Sequence, residues 1–169
     1  MNLIEKLNSK TATIGILGLG YVGIPLALTA SRAGLRVVGF DVVQSRVDQL
    51  NRGESPIKHI APNDVLSMKK VGFVATTDFS RVSDCDALII CVPTPLNEYR
   101  EPDLSFVVST MEMIAPYLRK NQLLSLESTT WPGTTKEVLL PYVEKAGLVV
   151  GKNFFLVYSP EREDPGNPT

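Results

Sequence analysis

The amino-acid sequence predicts an α/β protein in which a doubly wound, mostly parallel sheet of six strands carries helices on both faces. Short apolar runs alternate with amphipathic stretches along the chain, which is typical of strands covered on both sides and of the helices that cover them. Glycine or proline stands at many of the junctions between them. A third observation is a G-x-G-x-x-G pattern at residues 18–23, directly after the first apolar run.

Length and charge limit the classes of function. A chain of 169 residues can form one domain with a full core. A net charge of −1 provides no basic surface for a nucleic-acid backbone. No apolar run approaches the roughly 20 residues that a membrane-spanning helix requires, and the N-terminus, with Glu5, does not resemble a signal peptide. We therefore expect no nucleic-acid partner, no membrane partner and a cytoplasmic location.

The first predicted strand, residues 12–17, leads into the glycine turn. Gly18 would permit a tight turn, Gly20 would let a pyrophosphate approach the backbone, and Gly23 would let the next helix pack closely on the sheet. The phosphate would then lie at a helix N-terminus, where N–H groups and the helix dipole favour an anion. The sequence thus predicts a Rossmann-like dinucleotide site, although glycines at this spacing also occur in ordinary loops.

The second predicted strand, residues 35–41, ends in Asp41. This is where a dinucleotide-binding unit places an acid on the adenosine ribose, and a carboxylate there favours the free 2′-hydroxyl of NAD over the 2′-phosphate of NADP. Asp41 could instead end the strand or cap the next helix. Arg46, in a helix predicted over residues 43–51, could lie over the adenine, meet a phosphate or be a solvated surface residue.

Two predictions concern individual helices. The helix after the glycine turn is expected over residues 21–33, with Gly34 as its end. Thr134 and Glu137 have the spacing of a capping box and would begin the last helix. The predicted inward stripe of the first of these helices consists of Val22, Leu26, Ala30 and Ala33.

Hydroxyl groups follow two later strands. The fourth strand, residues 87–92, ends at Thr94 between two prolines, and the fifth, residues 122–126, opens into a loop with Ser128 and Thr129. In a doubly wound sheet, ligands lie beyond the carboxyl ends of the strands where the strand order reverses, here between the first and fourth strands. Thr94, Ser128 and Thr129 are therefore expected at the ligand edge. The third and sixth strands are predicted over residues 72–75 and 154–158.

Three further residues could carry chemistry. His59 is the only histidine and lies in an irregular stretch over residues 52–62; a catalytic and a structural role both remain open. Cys85 and Cys91 do not form a C-x-x-C pattern. We interpret both as core or near-core thiols in a reducing compartment, without a metal or catalytic role.

Four motifs at strand ends resemble the NAD-binding domain of the UDP-glucose/GDP-mannose dehydrogenase family. They are Gly-Leu-Gly-Tyr-Val-Gly at 18–23, Val-Pro-Thr-Pro at 92–95, Glu-Ser-Thr-Thr-Trp-Pro-Gly-Thr at 127–134 and Ser-Pro-Glu-Arg-Glu-Asp-Pro-Gly-Asn at 159–167. The last motif is similar to the branch that acts on UDP-N-acetyl-hexosamines. The UDP-glucose branch has a second glutamate where this chain has Pro165, so that residue's substrate role does not carry over.

The resemblance implies oxidation of the C6 alcohol of a UDP-sugar to the uronate, with two NAD molecules reduced in succession and a cysteine thioester that is then hydrolysed. Gly18, Gly20 and Gly23 would hold the pyrophosphate with the backbone N–H groups of Tyr21 and Val22. Asp41 and Arg46 would bind the adenosine end, and Thr94 and Thr129 would line the nicotinamide side.

The resemblance also implies two catalytic residues. Thr129 would position a water and Glu161 would assist thioester hydrolysis, although Glu161 beside Arg162 could be only a solvated ion pair.

The resemblance implies that residues 1–169 are an NAD-binding domain that lacks the rest of the family's chain. The family's nucleophilic cysteine, its UDP-sugar-binding domain and its dimer helix all lie after residue 169. We therefore expect a homo-oligomeric full-length enzyme and no turnover by this chain alone. An NAD-sensing module without catalysis, or a different oxidoreductase on the same sheet, remains an alternative.

Overall fold

The computed structural model describes residues 2–96, 98 and 102–160, and in this part of the chain six strands form one sheet. All neighbouring strands are parallel, and their order is β3-β2-β1-β4-β5-β6. The predicted fold class is confirmed, and the order reverses between β1 and β4, as expected. The strands are β1 (Thr13–Leu17), β2 (Arg36–Phe40), β3 (Val74–Thr76), β4 (Ala87–Ile90), β5 (Leu123–Leu126) and β6 (Phe155–Tyr158).

Helices connect the strands and cover both faces of the sheet. The α-helices are α1 (Leu3–Asn8), α2 (Gly23–Arg32), α3 (Gln44–Arg52), α4 (Pro62–Lys70), α5 (Ser105–Ile114) and α6 (Leu140–Lys145). Shorter pieces are 3-10 helices over Phe79–Asp84 and Ala115–Tyr117 and a π-helical turn over Thr135–Leu139. No helix in the described part of the chain is long and apolar enough to cross a bilayer.

The apolar side chains of the strands pack into two separate cores. Successive strand side chains point to opposite faces, so that Ile14 and Ile16 of β1 pack on one side and Leu17 on the other. Helices α2, α3 and α4 close the first core, and α5 and α6 close the second. Burial on both sides explains why the strand sequences are apolar without alternation.

The inward face of α2 matches the predicted stripe of Val22, Leu26, Ala30 and Ala33 only in part. Leu26 and Ala30 pack half-buried against the first core, whereas Ala33 is exposed and Val22 lines the cleft. An added Cβ on Gly23 would lie 1.8 Å from the carbonyl oxygen of Gly18, so this side of the helix lies directly against the strand end. Apolar residues occur around most of α2, so periodicity alone does not identify its inward side. The buried residues are Gly23, Ile24, Ala27, Leu28 and Ser31.

The predicted capping box at Thr134 and Glu137 is wrong. Thr134 does stand at the start of the helical segment, but its side chain makes no capping hydrogen bond. Its hydroxyl donates instead to the carbonyl oxygen of Trp131 at 2.8 Å. Gly133, at φ +102°, turns the chain between these two residues, and this turn diverts the hydroxyl from the helix N-terminus.

A buried carboxylate stabilises the edge of the sheet at the amino ends of the strands. Asp86 immediately precedes β4, and its Oδ2 accepts the Thr13 N–H at 3.1 Å. Its Oδ1 accepts hydrogen bonds from Lys6 Nζ at 2.7 Å and Arg119 Nη2 at 3.0 Å. Lys6 belongs to α1, which contains no buried residue, so this ion pair ties the first helix to the sheet.

Candidate functional site

A cleft of about 710 Å³ lies at the carboxyl ends of the strands, where the strand order reverses between β1 and β4. Its walls come from the glycine turn, the segment after β2, the loops after β4 and β5, and one side of α5. Eight of the residues predicted for the site line this cleft: Gly18, Gly20, Tyr21, Val22, Asp41, Arg46, Thr94 and Thr129. Gly23 does not line it, and Glu161 lies outside the described residues.

The three glycines of the turn have different surroundings. Gly18 has φ +100°, a left-handed conformation that favours glycine, and an added Cβ would lie 2.9 Å from the Cys91 carbonyl oxygen. Gly23 packs against Gly18, so a side chain there would collide with backbone. At Gly20 an added Cβ would meet no atom within 4 Å. The turn therefore leaves open space only at its middle glycine, where a bound group could approach the backbone.

Asp41 lies between the glycine turn and α3 and is only 5% exposed. Its Oδ2 accepts the Leu19 N–H at 2.9 Å and Arg46 Nη1 at 2.8 Å, and its Oδ1 accepts the Val43 N–H at 2.9 Å. The carboxylate thus joins three segments of the chain and faces the cleft. The two alternatives for Asp41 are therefore not exclusive: it accepts a hydrogen bond from the residue that precedes α3, and it also borders the cleft.

An aromatic contact joins the irregular stretch to the glycine turn. The rings of Tyr21 and His59 stack with centroids 5.4 Å apart and an angle of 26° between their planes. Tyr21 lines the cleft and is 56% exposed to solvent. His59 is also exposed to solvent, but it does not line the cleft. His59 therefore contacts a cleft residue without lining the cleft itself.

The loops after β4 and β5 form the opposite end of the cleft. Ser128 is buried, and its hydroxyl donates to the Val92 carbonyl oxygen at 2.6 Å. This hydrogen bond holds the two loops together. Thr94 and Thr129 line the cleft beside it, as predicted.

Sequence reasoning missed two parts of the site. Phe106 and Met113 from α5 line the cleft, although the sequence analysis assigned no residue of this helix to the site. Glu127 also lines the cleft, directly after β5. The only sequence signal for Glu127 is its position at the carboxyl end of a predicted strand. The neighbouring hydroxyl residues of the same loop were predicted at the ligand edge because of that position.

The cysteines differ in their surroundings. Cys85 is fully buried, and its burial raises the pKa of the thiol to about 12. Cys91 is half-buried, packs against the first core and also lines the cleft, so the prediction of a near-core thiol is confirmed. No disulfide joins the two. Among the described residues, no group of three or more histidine, cysteine, aspartate or glutamate side chains could hold a metal.

The described residues fit a dinucleotide. The cleft has the volume of a small-molecule site, about 300–1,000 Å³, and its walls are mainly apolar. Gly20 leaves room for a diphosphate at the start of α2, where backbone N–H groups lack intrahelical acceptors. Asp41 supplies a carboxylate at the end of β2, the position that contacts the adenosine ribose in folds of this class.

Comparison with protein families gives a match over residues 12–169. The matching family is described as the UDP-glucose/GDP-mannose dehydrogenase family, NAD binding domain. All four motifs of the sequence analysis fall within these residues.

Curated relatives are nucleotide-sugar dehydrogenases. The chain is 36% identical to UDP-N-acetyl-D-glucosamine 6-dehydrogenase of Pseudomonas aeruginosa over 94% of its own length and 37% of the relative's. It is also 36% identical to UDP-N-acetyl-D-mannosamine dehydrogenase of Escherichia coli K12, over 92% of this chain and 38% of that one. The chain therefore spans less than two fifths of the length of these relatives.

Solved structures give the same result. The UDP-N-acetyl-mannosamine dehydrogenase Cap5O of Staphylococcus aureus superposes with a TM-score of 0.84 and 31% identity, over 92% of this chain and 37% of that one. A ternary complex of GDP-mannose dehydrogenase from Pseudomonas aeruginosa superposes with a TM-score of 0.81 and 32% identity, over 90% and 36%.

Proposed function

Because the chain belongs to the UDP-glucose/GDP-mannose dehydrogenase family, as its NAD-binding domain, we propose that it is the cofactor-binding part of a nucleotide-sugar 6-dehydrogenase. The proposed substrate is a UDP-N-acetyl-hexosamine or UDP-hexose, because relatives are named for UDP-N-acetyl-glucosamine and UDP-N-acetyl-mannosamine. The observation that carries this proposal is the cleft that brings the glycine turn, Asp41 and the two loop threonines to one edge of the sheet.

The cleft residues divide into three groups along the dinucleotide. Gly18, Gly20, Tyr21 and Val22 would hold the diphosphate, with Gly23 acting through its contact with Gly18. Asp41 and Arg46 would bind the adenosine ribose and base. Thr94 and Thr129 would border the nicotinamide, because their loops form the other end of the cleft.

When bound, NAD accepts the electrons that the C6 alcohol loses on its way to the uronate. Thr129 would position a water through its exposed hydroxyl. Glu161 would assist the hydrolytic step. This role is supported only by the sequence motif that follows β6.

The remaining functions would reside outside these 169 residues. We assign the nucleophilic cysteine, the UDP-sugar-binding domain and the oligomer contacts to a longer protein, because the relatives are more than twice as long. A cytoplasmic enzyme of surface-polysaccharide synthesis is the proposed setting. Neither cysteine of this chain takes the nucleophile's role, since Cys85 is buried and Cys91 is not part of any of the four family motifs.

Substitutions at Gly20 test the binding site without disturbing the fold. Gly20→Ala and Gly20→Val place a side chain in open space, so we expect the thermal unfolding midpoint to stay within about 2 °C of wild type. Calorimetric titration should show NAD affinity that falls in the order wild type, Ala, Val, by about tenfold or more for Val, because a side chain there blocks the diphosphate. Equal NAD affinity of all three proteins would contradict the proposed site.

Cofactor choice and turnover give two further measurements. The chain should bind NAD at least tenfold more tightly than NADP, because Asp41 repels a 2′-phosphate. With UDP-N-acetylglucosamine and NAD it should produce no NADH, whereas the longer protein should. An NAD-sensing module predicts that the longer protein also produces none.

A further inference from the structure

We propose that Glu127 is a specificity-determining residue that makes the cleft favour the oxidised over the reduced dinucleotide. This inference rests on the proposed function, because it concerns the nicotinamide end of the same cleft. The observation behind it is the distribution of charge along the cleft walls.

Charged side chains are few in this cleft. Among the described residues that line it, only Asp41, Arg46 and Glu127 carry a charge. Asp41 and Arg46 form an ion pair of 2.8 Å at the adenosine end, so their charges compensate. Glu127 makes no ion pair with any described residue. Among the described residues at the end of the cleft formed by the β4 and β5 loops, no cation therefore compensates the negative charge of Glu127.

The position of Glu127 is fixed by two hydrogen bonds. Its backbone N–H donates to the Ile90 carbonyl oxygen at 2.9 Å, which pins it beside the end of β4. Its Oε1 accepts the hydroxyl of Ser125 at 2.9 Å, and Ser125 is buried at 4% exposure. Within the described part of the chain, Oε2 accepts no hydrogen bond from a side chain. The carboxylate is thus held in place and keeps acceptor capacity on its second oxygen.

The two redox states of the dinucleotide differ in charge at the ring that this end would receive. The nicotinamide ring is a cation in NAD⁺ and neutral in NADH. A fixed carboxylate beside apolar walls such as Phe106 and Met113 acts through a lower effective dielectric than in water. The carboxylate therefore strengthens the binding of NAD⁺ and has no comparable effect on the binding of NADH. This difference helps NADH to dissociate between the two oxidations.

Paired titrations with NAD⁺ and NADH test the inference. Glu127→Gln keeps the shape of the side chain and removes the charge, so we expect the dissociation constant for NAD⁺ to rise about fivefold. The constant for NADH should stay within about twofold of wild type. The ratio of the two constants, and not either affinity alone, is the measured quantity, and its change should shrink at high salt.

Two control variants separate charge from position. Ser125→Ala removes the hydrogen bond to Glu127 and keeps its charge, so the ratio should stay closer to wild type than in Glu127→Gln. Glu137→Gln makes the same chemical change at an exposed residue outside the cleft and should leave both constants unchanged. Thermal unfolding of each variant reports on the fold.

The outcomes distinguish this inference from the proposed function. Equal changes for NAD⁺ and NADH in Glu127→Gln, or no change in either, would overturn the role of Glu127 and leave the binding site in place. A folded wild-type chain that binds neither dinucleotide would instead overturn the proposed function itself.

Discussion

Two buried aspartates lie at opposite edges of the same sheet and have nearly the same surroundings. Asp41 follows β2 at the carboxyl edge and Asp86 precedes β4 at the amino edge, and each is 5% exposed. Each accepts at least one backbone N–H group and at least one cationic side chain. The donors are Leu19, Val43 and Arg46 for Asp41, and Thr13, Lys6 and Arg119 for Asp86.

The difference between them is location and not local chemistry. Only Asp41 borders the cleft, because ligands of a doubly wound sheet lie at the carboxyl ends of its strands. Asp86 belongs to the edge where such sheets have no ligand, and it joins α1 and Arg119 to β1. Burial and ion pairing alone would not tell a binding carboxylate from a structural one, whereas the sheet topology does.

The largest expected effect is the loss of NAD binding in Asp41→Ala. In the proposed site the substitution would remove about two charge-assisted hydrogen bonds to the ribose, each contributing about 1.5–3 kcal/mol, so affinity should fall by more than about a hundredfold. Calorimetric titration measures this loss. Asp86→Ala is the matched control and should keep NAD affinity within about twofold; a similar loss in both variants would break the distinction.

Stability, unlike NAD affinity, should fall in both variants, because each substitution leaves three donors without their acceptor. Asp86→Ala leaves Lys6, Arg119 and the Thr13 N–H without their acceptor, and the free energy of unfolding should fall by about 2–3 kcal/mol. Urea denaturation monitored by circular dichroism gives this value. A loss below about 1 kcal/mol would mean that the other contacts of Arg119, to Ser83 and Cys85 carbonyl oxygens, hold this edge.

The pH dependence of stability should sharpen the role of Asp86. Burial acts to raise its pKa, but hydrogen bonds from Lys6, the Thr13 N–H and Arg119 outweigh burial and lower it. A pKa that is lower in the folded than in the unfolded state stabilises the fold above the unfolded value, about 4, and this contribution is lost as the pH falls through the folded value.

Asp86→Asn removes that contribution. The difference in unfolding free energy between wild type and this variant should therefore be largest at neutral pH and decline below about pH 4. Urea denaturation at a series of pH values measures it, and a difference that grows on acidification would contradict this account.

The smallest expected effect is that of Lys6→Met. The Lys6 side chain is 35% exposed and Arg119 remains on the same carboxylate oxygen, so the unfolding free energy should fall by less than about 1 kcal/mol. Arg32→Met, which removes the more exposed pair with Asp64, provides the control and should have an effect near zero. A larger loss in the Arg32 variant would reverse the expected order.

Sequence alone predicted the fold because each strand is a continuous apolar run and the glycines have distinct steric requirements. It also predicted Asp41, since only one carboxylate ends the second strand. The inward side of α2 was predicted only in part, because Ile24, Leu26, Ala27 and Leu28 spread apolar surface around the helix. Its orientation depends on the approach of Gly23 to Gly18, a tertiary contact.

The rest of the site depends on contacts between distant residues. Tyr21 and His59 are far apart in the chain, and no periodic pattern links them. Phe106 lies on the exposed side of α5, and only the position of that helix beside the cleft makes it a lining residue. At Thr134 the sequence has the spacing of a capping box, but the hydroxyl donates to the carbonyl oxygen of Trp131 instead. In each case geometry outside the local sequence window determined the outcome.

The three donors on Asp41 constrain any attempt to convert the protein to NADP. An apolar residue at this position would remove the repulsion of a 2′-phosphate that the proposed site implies, but it would also release the Leu19 N–H in the middle of the glycine turn and the Val43 N–H before α3. In the proposed site, cofactor preference and the rigidity of the glycine turn would therefore depend on one side chain. Engineering one without the other would require a second substitution that restores an acceptor for the Leu19 N–H.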